Sequence, residues 1–389
     1  MRTYKILITC PKGIPPFLKQ ELQLLGFPVL TEQSAGVETE GTFEDALRLN
    51  LFLRTGHRVL YLLREFTARN AEDLYGEASA IAWEEHIDEE GYVCLTSSVM
   101  NPTIKDPRYA NLKCKDAIVD RIRQKRGKRP DAGPERDRTV VHLYWKDEYA
   151  ALYLDTSGEP LSRRGYRKIP LAAPMQETLA AAVVLGTGWD GAGNFINPMC
   201  GSGTLAIEAA LIGLHRAPGL LRSNFGFMHL KGWNEKLWLE LREKAKLDAR
   251  KAFPGRIIAT DINPGAVEAA RKNADTAGVE RLIEFHVCEY SDTPLPEGGG
   301  VIVLNPEYGE RMGEAAMLEG TYKGIGDFFK QKCRGYTGYV FTGNPSLAKK
   351  VSLKPKRSIP LFNSKIECRL LEYELYEGSK KVKKPKAAG

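Results

Sequence analysis

The sequence predicts an α/β fold, a mostly parallel, doubly wound sheet from about residue 170 onward, preceded by an α+β region on an antiparallel sheet. Three observations predict it. Beyond residue 190, apolar strand-like runs alternate with helical runs. One of them, Phe195-Ile196-Asn197-Pro198, leads into the turn Met199-Cys200-Gly201-Ser202-Gly203-Thr204, and an apolar helix is expected over 205–214. Before residue 70, the pattern runs strand–helix–strand–helix–strand.

Length and composition set the bounds. A chain of 389 residues is long enough for two or three domains with a sizeable core. Hydrophobic content of 43% and charged content of 27% are those of an ordinary globular protein. The net charge of +7 permits a polyanionic partner without requiring one. The seven cysteines, Cys10, Cys94, Cys114, Cys200, Cys288, Cys333 and Cys368, include no C-x-x-C pair. That pattern implies a reduced, cytoplasmic setting and argues against zinc, so no metal is expected. The apolar run before Pro11 is too brief for a signal segment, and nothing approaches a membrane span.

In chain order, residues 4–9 alternate as a strand, and Pro15-Pro16 opens an amphipathic helix that Gly26 stops. A short strand is expected at 37–41, a helix from Thr42 to about Arg54, and a strand at 58–66. A helix at 70–83 and a strand at 92–98 follow. The second half of 106–120 reads as an amphipathic helix, with Leu112, Ile118 and Val119 able to face a core, and lysines and arginines crowd it and its exit up to Arg129. Such density is either a phosphate-binding footprint or a solvated basic face. Residues 140–145 and 149–154 read as a hairpin, and 157–168 as a basic interdomain linker. Helix 174–185 precedes the glycine turn, and a Trp-containing helical insertion at 214–253 follows it. Strands are expected at 257–263, 283–287, 336–342 and 367–376, a strand running into a loop over 300–309, and a helix at 264–277. Five lysines and no acid after Gly378 read as a disordered tail.

The chemistry lies at the strand ends, where open α/β sheets bind ligands. Gly201 and Gly203 let backbone approach a ligand where a Cβ would clash. Gly201-x-Gly203-x-x-Ala206 also fits a dinucleotide fingerprint, and a Walker loop is disfavoured because no Gly-Lys-Ser/Thr follows. Asp261 ends the next strand, where a carboxylate accepts both hydroxyls of a ribose. It lies too far past the glycines for the usual NAD spacing. Glu289 ends the third strand, placed to accept from an adenine amine, with Tyr290 beside it to stack. Asn305-Pro306-Glu307-Tyr308 ends the fourth. A base amine is a poor nucleophile because its lone pair is delocalised. An Asn oxygen and a neighbouring carbonyl that accept its hydrogens favour the pyramidal nitrogen needed for attack on a methyl sulfonium. Tyr308 is placed to stack on an extruded base.

Residues 195–204 and 305–311 resemble two motifs of class I S-adenosylmethionine-dependent amino-methyltransferases, Asp-Pro-Phe/Met-Cys-Gly-Ser-Gly-Thr and Asn-Pro-Pro-Tyr-Gly-Glu-Arg. Residues 108–120 and 161–182 resemble the THUMP-domain side of one subgroup. That subgroup is the 23S rRNA guanine-N2 methyltransferase forming the N-terminal half of a bifunctional large-subunit enzyme, with stand-alone relatives of the YpsC type. The similarity runs from about residue 4 to 375. It implies a ferredoxin-like segment at 1–45, a THUMP domain at 46–155, a linker at 156–172, a Rossmann-like methyltransferase domain at 173–377 and a basic tail at 378–389.

The resemblance implies S-adenosylmethionine as cofactor, held by Thr178, Asn197, Pro198, Cys200, Gly201, Ser202, Gly203, Thr204, Asp261, Ile262, Glu289, Tyr290 and Asn305. Asn305, Pro306 and Tyr308 are then the catalytic set. Tyr109, Lys113, Lys115, Arg163, Arg164, Tyr166 and Arg167 are expected to contact RNA. Asn197 stands where the family has Asp, and Glu307 where it has a second Pro. Glu307 is expected either to point to solvent or to face the edge of the base. Three functions fit: guanine-N2 transfer to 23S rRNA, adenine-N6 transfer to RNA, and an RNA-binding protein whose methyltransferase domain has lost turnover.

Overall fold

The computed structural model describes residues 3–169, 175–309 and 314–375. The expected tail at 378–389 and linker residues 170–172 lie outside them. In chain order the elements are β1 (Tyr4–Thr9), α1 (Pro15–Leu24), β2 (Thr31–Gln33), β3 (Gly36–Gly41), α2 (Phe43–Phe52), β4 (Arg58–Thr67), α3 (Ala71–Ser79), β5 (Tyr92–Met100), α4 (Pro107–Arg126), β6 (Asp131–Ala132), β7 (Thr139–Lys146) and β8 (Tyr149–Asp155). After them come α5 (Glu177–Thr187), β9 (Asn194–Pro198), α6 (Thr204–Gly213), α7 (Glu235–Leu247), β10 (Ile257–Asp261), α8 (Pro264–Thr276), β11 (Ile283–Val287), β12 (Gly300–Leu304), α9 (Glu314–Gln331), β13 (Tyr336–Thr342), α10 (Pro345–Lys350), β14 (Arg357–Asn363) and β15 (Ile366–Glu374). The chain forms two compact units, one of residues 1–167, 175–182 and 214–251, the other of 168–174, 183–213 and 252–389.

The first unit is built on one eight-stranded sheet in the order β2-β3-β1-β4-β8-β7-β5-β6. β4 pairs antiparallel with β1 on one side and with β8 on the other. The ferredoxin-like and THUMP segments read from the sequence therefore share a sheet. The expected hairpin is β7–β8. Local sequence sets the helix ends. Thr42 and Asp45 form a reciprocal capping box on α2. Asp106 caps α4 with Pro107 behind it, and Gly127 at φ +77° stops it. A buried polar knot ties α2 to the end of β8. Asn50 Nδ2 donates to Thr156 Oγ1 at 2.8 Å, and Ser157 Oγ donates to Asn50 Oδ1 at 2.6 Å.

The insertion departs from expectation. Its only α-helix is α7, preceded by two short 3₁₀ turns at Pro218–Leu221 and Gly226–His229. Residues 214–251 group with the first compact unit. The cause is long-range burial. Phe225 stacks on Phe227 at 5.2 Å, and both meet the Trp238 ring edge-on. The buried Arg222 guanidinium donates to the carbonyls of Ser157, Glu159, Pro160 and Asn224. Burial lowers its pKa from 12.5 to about 10, which leaves it charged at neutral pH.

The second unit holds a seven-stranded sheet, β11-β10-β9-β12-β13-β15-β14. Its first five strands are parallel; β15 and β14 complete it antiparallel. The doubly wound reading holds for the parallel part. All ten positions of α6 are buried, with Thr204 and Glu208 buried among its apolar residues. Ile196, Ile258, Ile302 and Leu304 from adjacent strands pack with Tyr322, Phe328 and Phe329 of α9. The sequence reading missed α9, α10 and β14; β14 carries Pro360 and sits at the sheet edge, where proline is tolerated. Among the described residues no helix is long and apolar enough to cross a membrane.

Replacing Arg222 by Met strands buried carbonyls without donors. The expected loss is about 3 kcal/mol of stability, at the level of leaving buried polar groups unsatisfied. A urea midpoint unchanged from the parent would contradict it.

Candidate functional site

The carboxyl edge of the parallel sheet positions the groups read from the sequence. β9 and β10 pair in register up to Pro198 and Thr260. The Cys200 amide extends that register by donating to the Thr260 carbonyl at 2.9 Å. The next amide, Gly201, donates to Asp261 Oδ2 at 2.9 Å, while Oδ1 accepts from the Asn263 amide at 3.0 Å. Each carboxylate oxygen keeps a further lone pair for a ligand. The glycine turn is thus fastened by the acid at the end of the neighbouring strand.

The two glycines differ. Gly201, at φ +55°, has nothing within 4 Å of where a Cβ would stand, so the space in front of it is open. Gly203, at φ +81°, packs on α8, where a Cβ would meet that of Ala270 at 2.8 Å. The first leaves room for a ligand; the second serves helix packing. Met199 adopts φ +56°, an uncommon conformation for a side-chain-bearing residue, and strain of this kind clusters at functional loops.

Asn197 is fully buried on β9. Its Nδ2 donates to the Val303 carbonyl at 2.9 Å, which turns Oδ1 the other way. That oxygen is buried without a hydrogen-bond partner. A buried unsatisfied acceptor is costly and fits a ligand donor such as an ammonium. Pro198, Cys200, Ser202 and Thr204 are buried around the turn. Burial pushes the Cys200 thiol up, so it stays neutral. Glu289 is exposed at the end of β11, and Ile262 is 62% exposed after β10. Open backbone at Gly201, a carboxylate, an exposed acid and an unpaired acceptor suit a nucleoside that carries an amino acid.

Tyr290 is placed otherwise than expected. Tyr290 packs inward, its ring edge-on to Phe328 at 6.0 Å and its hydroxyl 3.5 Å from the Thr321 carbonyl. Its ring is committed to α9. Thr178 lies in the first compact unit, buried on α5, with its hydroxyl lacking a partner.

At the end of β12, Pro306 is buried, Asn305 half-buried and Glu307 exposed. The Tyr308 hydroxyl donates to Asn305 Oδ1 at 2.6 Å, and its ring meets Phe341 edge-on at 6.2 Å. The ring is half-buried rather than a free platform. Tyr322 Oη donates to the Glu307 carbonyl at 3.1 Å, and Asn344 Nδ2 donates to the Tyr308 carbonyl at 2.9 Å.

The sequence reading missed Asn273. It is fully buried on α8. It donates to the Ser202 carbonyl at 3.1 Å and accepts from the Lys168 amide at 2.9 Å, which ties the glycine turn to residue 168. The available signal was one Asn among the inward alanines and valine of that helix.

The expected RNA contacts divide, all within the first unit. Tyr109 and Arg163 are exposed. Lys113 lies 5.7 Å above the Tyr109 ring and 3.8 Å from Glu72; Lys115 pairs with Asp116 at 2.7 Å. Arg164 and Tyr166 correct the expectation, since both are almost fully buried. Arg164 donates to the carbonyls of Leu161 and Arg54 at 3.3 and 2.6 Å. Arg167 donates to the Met175 carbonyl and pairs with Glu177 at 3.5 Å. The two arginines hold the fold by supplying donors to backbone carbonyls, and Tyr166 is part of the core. The freer cations lie at the end of α4, where Lys125, Arg126 and Arg129 are exposed without an ion-pair partner among the described residues.

Among known proteins, the family described as "RMKL-like, methyltransferase domain" matches residues 164–372, the "RlmL ferredoxin-like domain" matches 5–60 and the THUMP domain matches 68–155. The ferredoxin-like match runs past the residue-45 boundary read from the sequence. The ribosomal RNA large subunit methyltransferase K/L of Syntrophotalea carbinolica is 38% identical over 96% of this chain and 54% of that protein. The chain spans about half the length of the curated relatives it matches. A putative methyltransferase solved as a complex with SAH is 27% identical, with a TM-score of 0.87 over 97% of this chain and 100% of the other. A predicted N6-adenine-specific DNA methylase from Listeria monocytogenes is 29% identical, with a TM-score of 0.87 over 96% of each chain.

Gly203→Ala forces a Cβ against Ala270 and an L-residue into a left-handed conformation. Gly201→Ala meets only the second cost, of about 1–2 kcal/mol. Melting temperature is therefore expected to fall further for Gly203→Ala than for Gly201→Ala, and the reverse order would refute the packing role.

Proposed function

The chain belongs to the RMKL-like methyltransferase family, and from that premise we propose that it transfers a methyl group from S-adenosylmethionine to the N2 amine of a guanine in 23S rRNA. The observation that carries this reading is the convergence, on the carboxyl edge of one parallel sheet, of a glycine turn fastened by Asp261, the unpaired acceptor of Asn197 and the Asn305-Pro306 turn. Similarity to large-subunit rRNA methyltransferases over 96% of the chain supports rRNA as the substrate.

Gly201 and Gly203 would admit the cofactor to the backbone. Asp261 would accept from its ribose, Glu289 from its adenine amine and Asn197 Oδ1 from its ammonium, with Ile262 as apolar surface alongside. When bound, the cofactor supplies an electrophilic methyl on sulfonium. Asn305 Oδ1 and the Pro306 carbonyl accept the hydrogens of the acceptor amine. Both acceptors draw its lone pair out of conjugation, and the proton is lost after transfer, so no strongly perturbed base is needed.

RNA is gripped by the first unit, through Tyr109, Lys113, Lys115 and Arg163 and the exposed cations at the end of α4. The deciding experiment incubates the full chain with S-adenosylmethionine and rRNA from cells lacking it, then digests the RNA to nucleosides. N2-methylguanosine is the expected product. N6-methyladenosine would move the assignment to adenine, the base named in the Listeria relative's description. Cofactor binding without transfer would leave an RNA-binding protein.

Two substitutions separate the roles. Asn305→Ala is expected to lower transfer by about 10²–10³-fold, the scale of removing one preorganised transition-state contact, and to leave SAH affinity within twofold. Asp261→Ala is expected to weaken SAH binding by roughly 10- to 150-fold, the scale of charge-assisted hydrogen bonds. An exchange of these outcomes would sink the assignment.

Replacing Lys125, Arg126 and Arg129 together by Ala is expected to flatten the log–log dependence of RNA affinity on salt by about 3, near one for each phosphate no longer neutralised. A parental slope would show that RNA does not reach this end of α4.

A further inference from the structure

Resting on the proposed methyl transfer, we propose that Tyr308 is a positioning residue whose hydroxyl holds the Asn305 amide one way round, with Oδ1 turned to the acceptor amine's side of the site. An Asn side chain is nearly symmetrical in shape, but its two ends have opposite hydrogen-bonding character. Turned over, it presents two N–H donors where the acceptor amine also presents donors. The amide therefore needs something that distinguishes its ends.

The surroundings of the phenol supply that. Tyr308 Oη donates to Asn305 Oδ1 at 2.6 Å. A neutral phenol has one proton to give, and an amide oxygen can accept it where an amide NH2 cannot. Burial first, and neighbouring Cys368 next, push the phenol's pKa well above its ordinary value. It remains a donor across the working range of pH. Oδ1 keeps a second lone pair for the acceptor amine.

The seat of the ring is built for this. A Cβ on Gly343 would stand 2.7 Å from Ile366 Cγ2 and 3.2 Å from Tyr308 Cδ2. A side chain at 343 would crowd the ring whose hydroxyl reaches Asn305. The Asn344 bond to the Tyr308 carbonyl and the Tyr322 bond to the Glu307 carbonyl fix the backbone on both sides of this contact. The role belongs to the hydroxyl and is separate from any stacking by the ring.

Tyr308→Phe keeps the ring and removes only the hydroxyl. Single-turnover transfer with the full chain, saturating S-adenosylmethionine and unmodified rRNA is expected to fall at least 20-fold, with SAH and RNA dissociation constants within twofold of the parent. In an Asn305→Asp background both ends of the side chain are oxygens, so the same Tyr308→Phe step is expected to cost less than threefold. A parental rate in Tyr308→Phe, or an equal loss in both backgrounds, overturns the proposal. The Asn305 side-chain NH2 resonances, assigned by their loss in Asn305→Asp, read the orientation without any turnover. They should form one sharp pair in the parent and a doubled or exchange-broadened set in Tyr308→Phe. An unchanged pair overturns the lock even if the parent transfers no methyl group, whereas an inactive parent with the doubling present sinks only the proposed reaction.

Discussion

The hydrogen bond from the Gly201 amide to the Asp261 carboxylate is the constraint on which the ligand-facing edge of the second unit depends. A glycine turn has no conformation of its own to defend. Its shape comes from three outside partners: Asp261 on the neighbouring strand, Ala270 beneath Gly203 and Asn273 on the Ser202 carbonyl. All three lie on β10 or α8. The turn is set before any ligand arrives, so binding need not meet the cost of ordering it. Because Asp261 fastens the turn and is also the proposed acceptor for the cofactor's ribose, its substitution would act on both, and only the contrast with Asn305 separates cofactor binding from chemistry.

Charge tells a different story in the first unit. The sequence shows a dense run of lysines and arginines, yet many of them are committed within the protein. Arg121 pairs with Glu84 at 2.8 Å and Arg123 with Asp120 at 3.2 Å. The second pair is exposed and adds little stability, about 0–1 kcal/mol, whereas the first is half-buried and doubly hydrogen-bonded; both offset positive charge that a polyanion would otherwise meet. Arg164, Arg167 and Arg222 go further, their guanidinium groups spent on backbone carbonyls. Such an arginine is part of the framework, as a core leucine is elsewhere.

What the sequence made legible follows from the range of the cause. The glycine turn, Asp261 and Asn305 could be located because an apolar run marks each strand and the residue after it marks the sheet edge. Strands β1, β4, β11 and β12 and helix α8 fall close to the expected positions for the same local reasons. Arg164 could not be read correctly, because its partner carbonyl at Arg54 lies far back in the chain. The compact unit to which the insertion belongs could not be read locally, because the Ser157, Glu159 and Pro160 carbonyls that bind Arg222 precede it by some sixty residues. The motif around Asn305 announces an aromatic ring at 308; the seat of that ring lies against Gly343 and Phe341, which no local pattern connects to it.

The pairing of β4 with both β1 and β8 has an evolutionary consequence. Two segments that match separate families share one ladder of backbone bonds. Separating them by recombination would leave β8, with Ala151 and Tyr153, as a naked apolar margin able to zip onto another chain. Lineages that shuffle these modules are therefore expected to inherit them as a pair, and duplication or loss should respect the seam between the two compact units rather than the one between the two names.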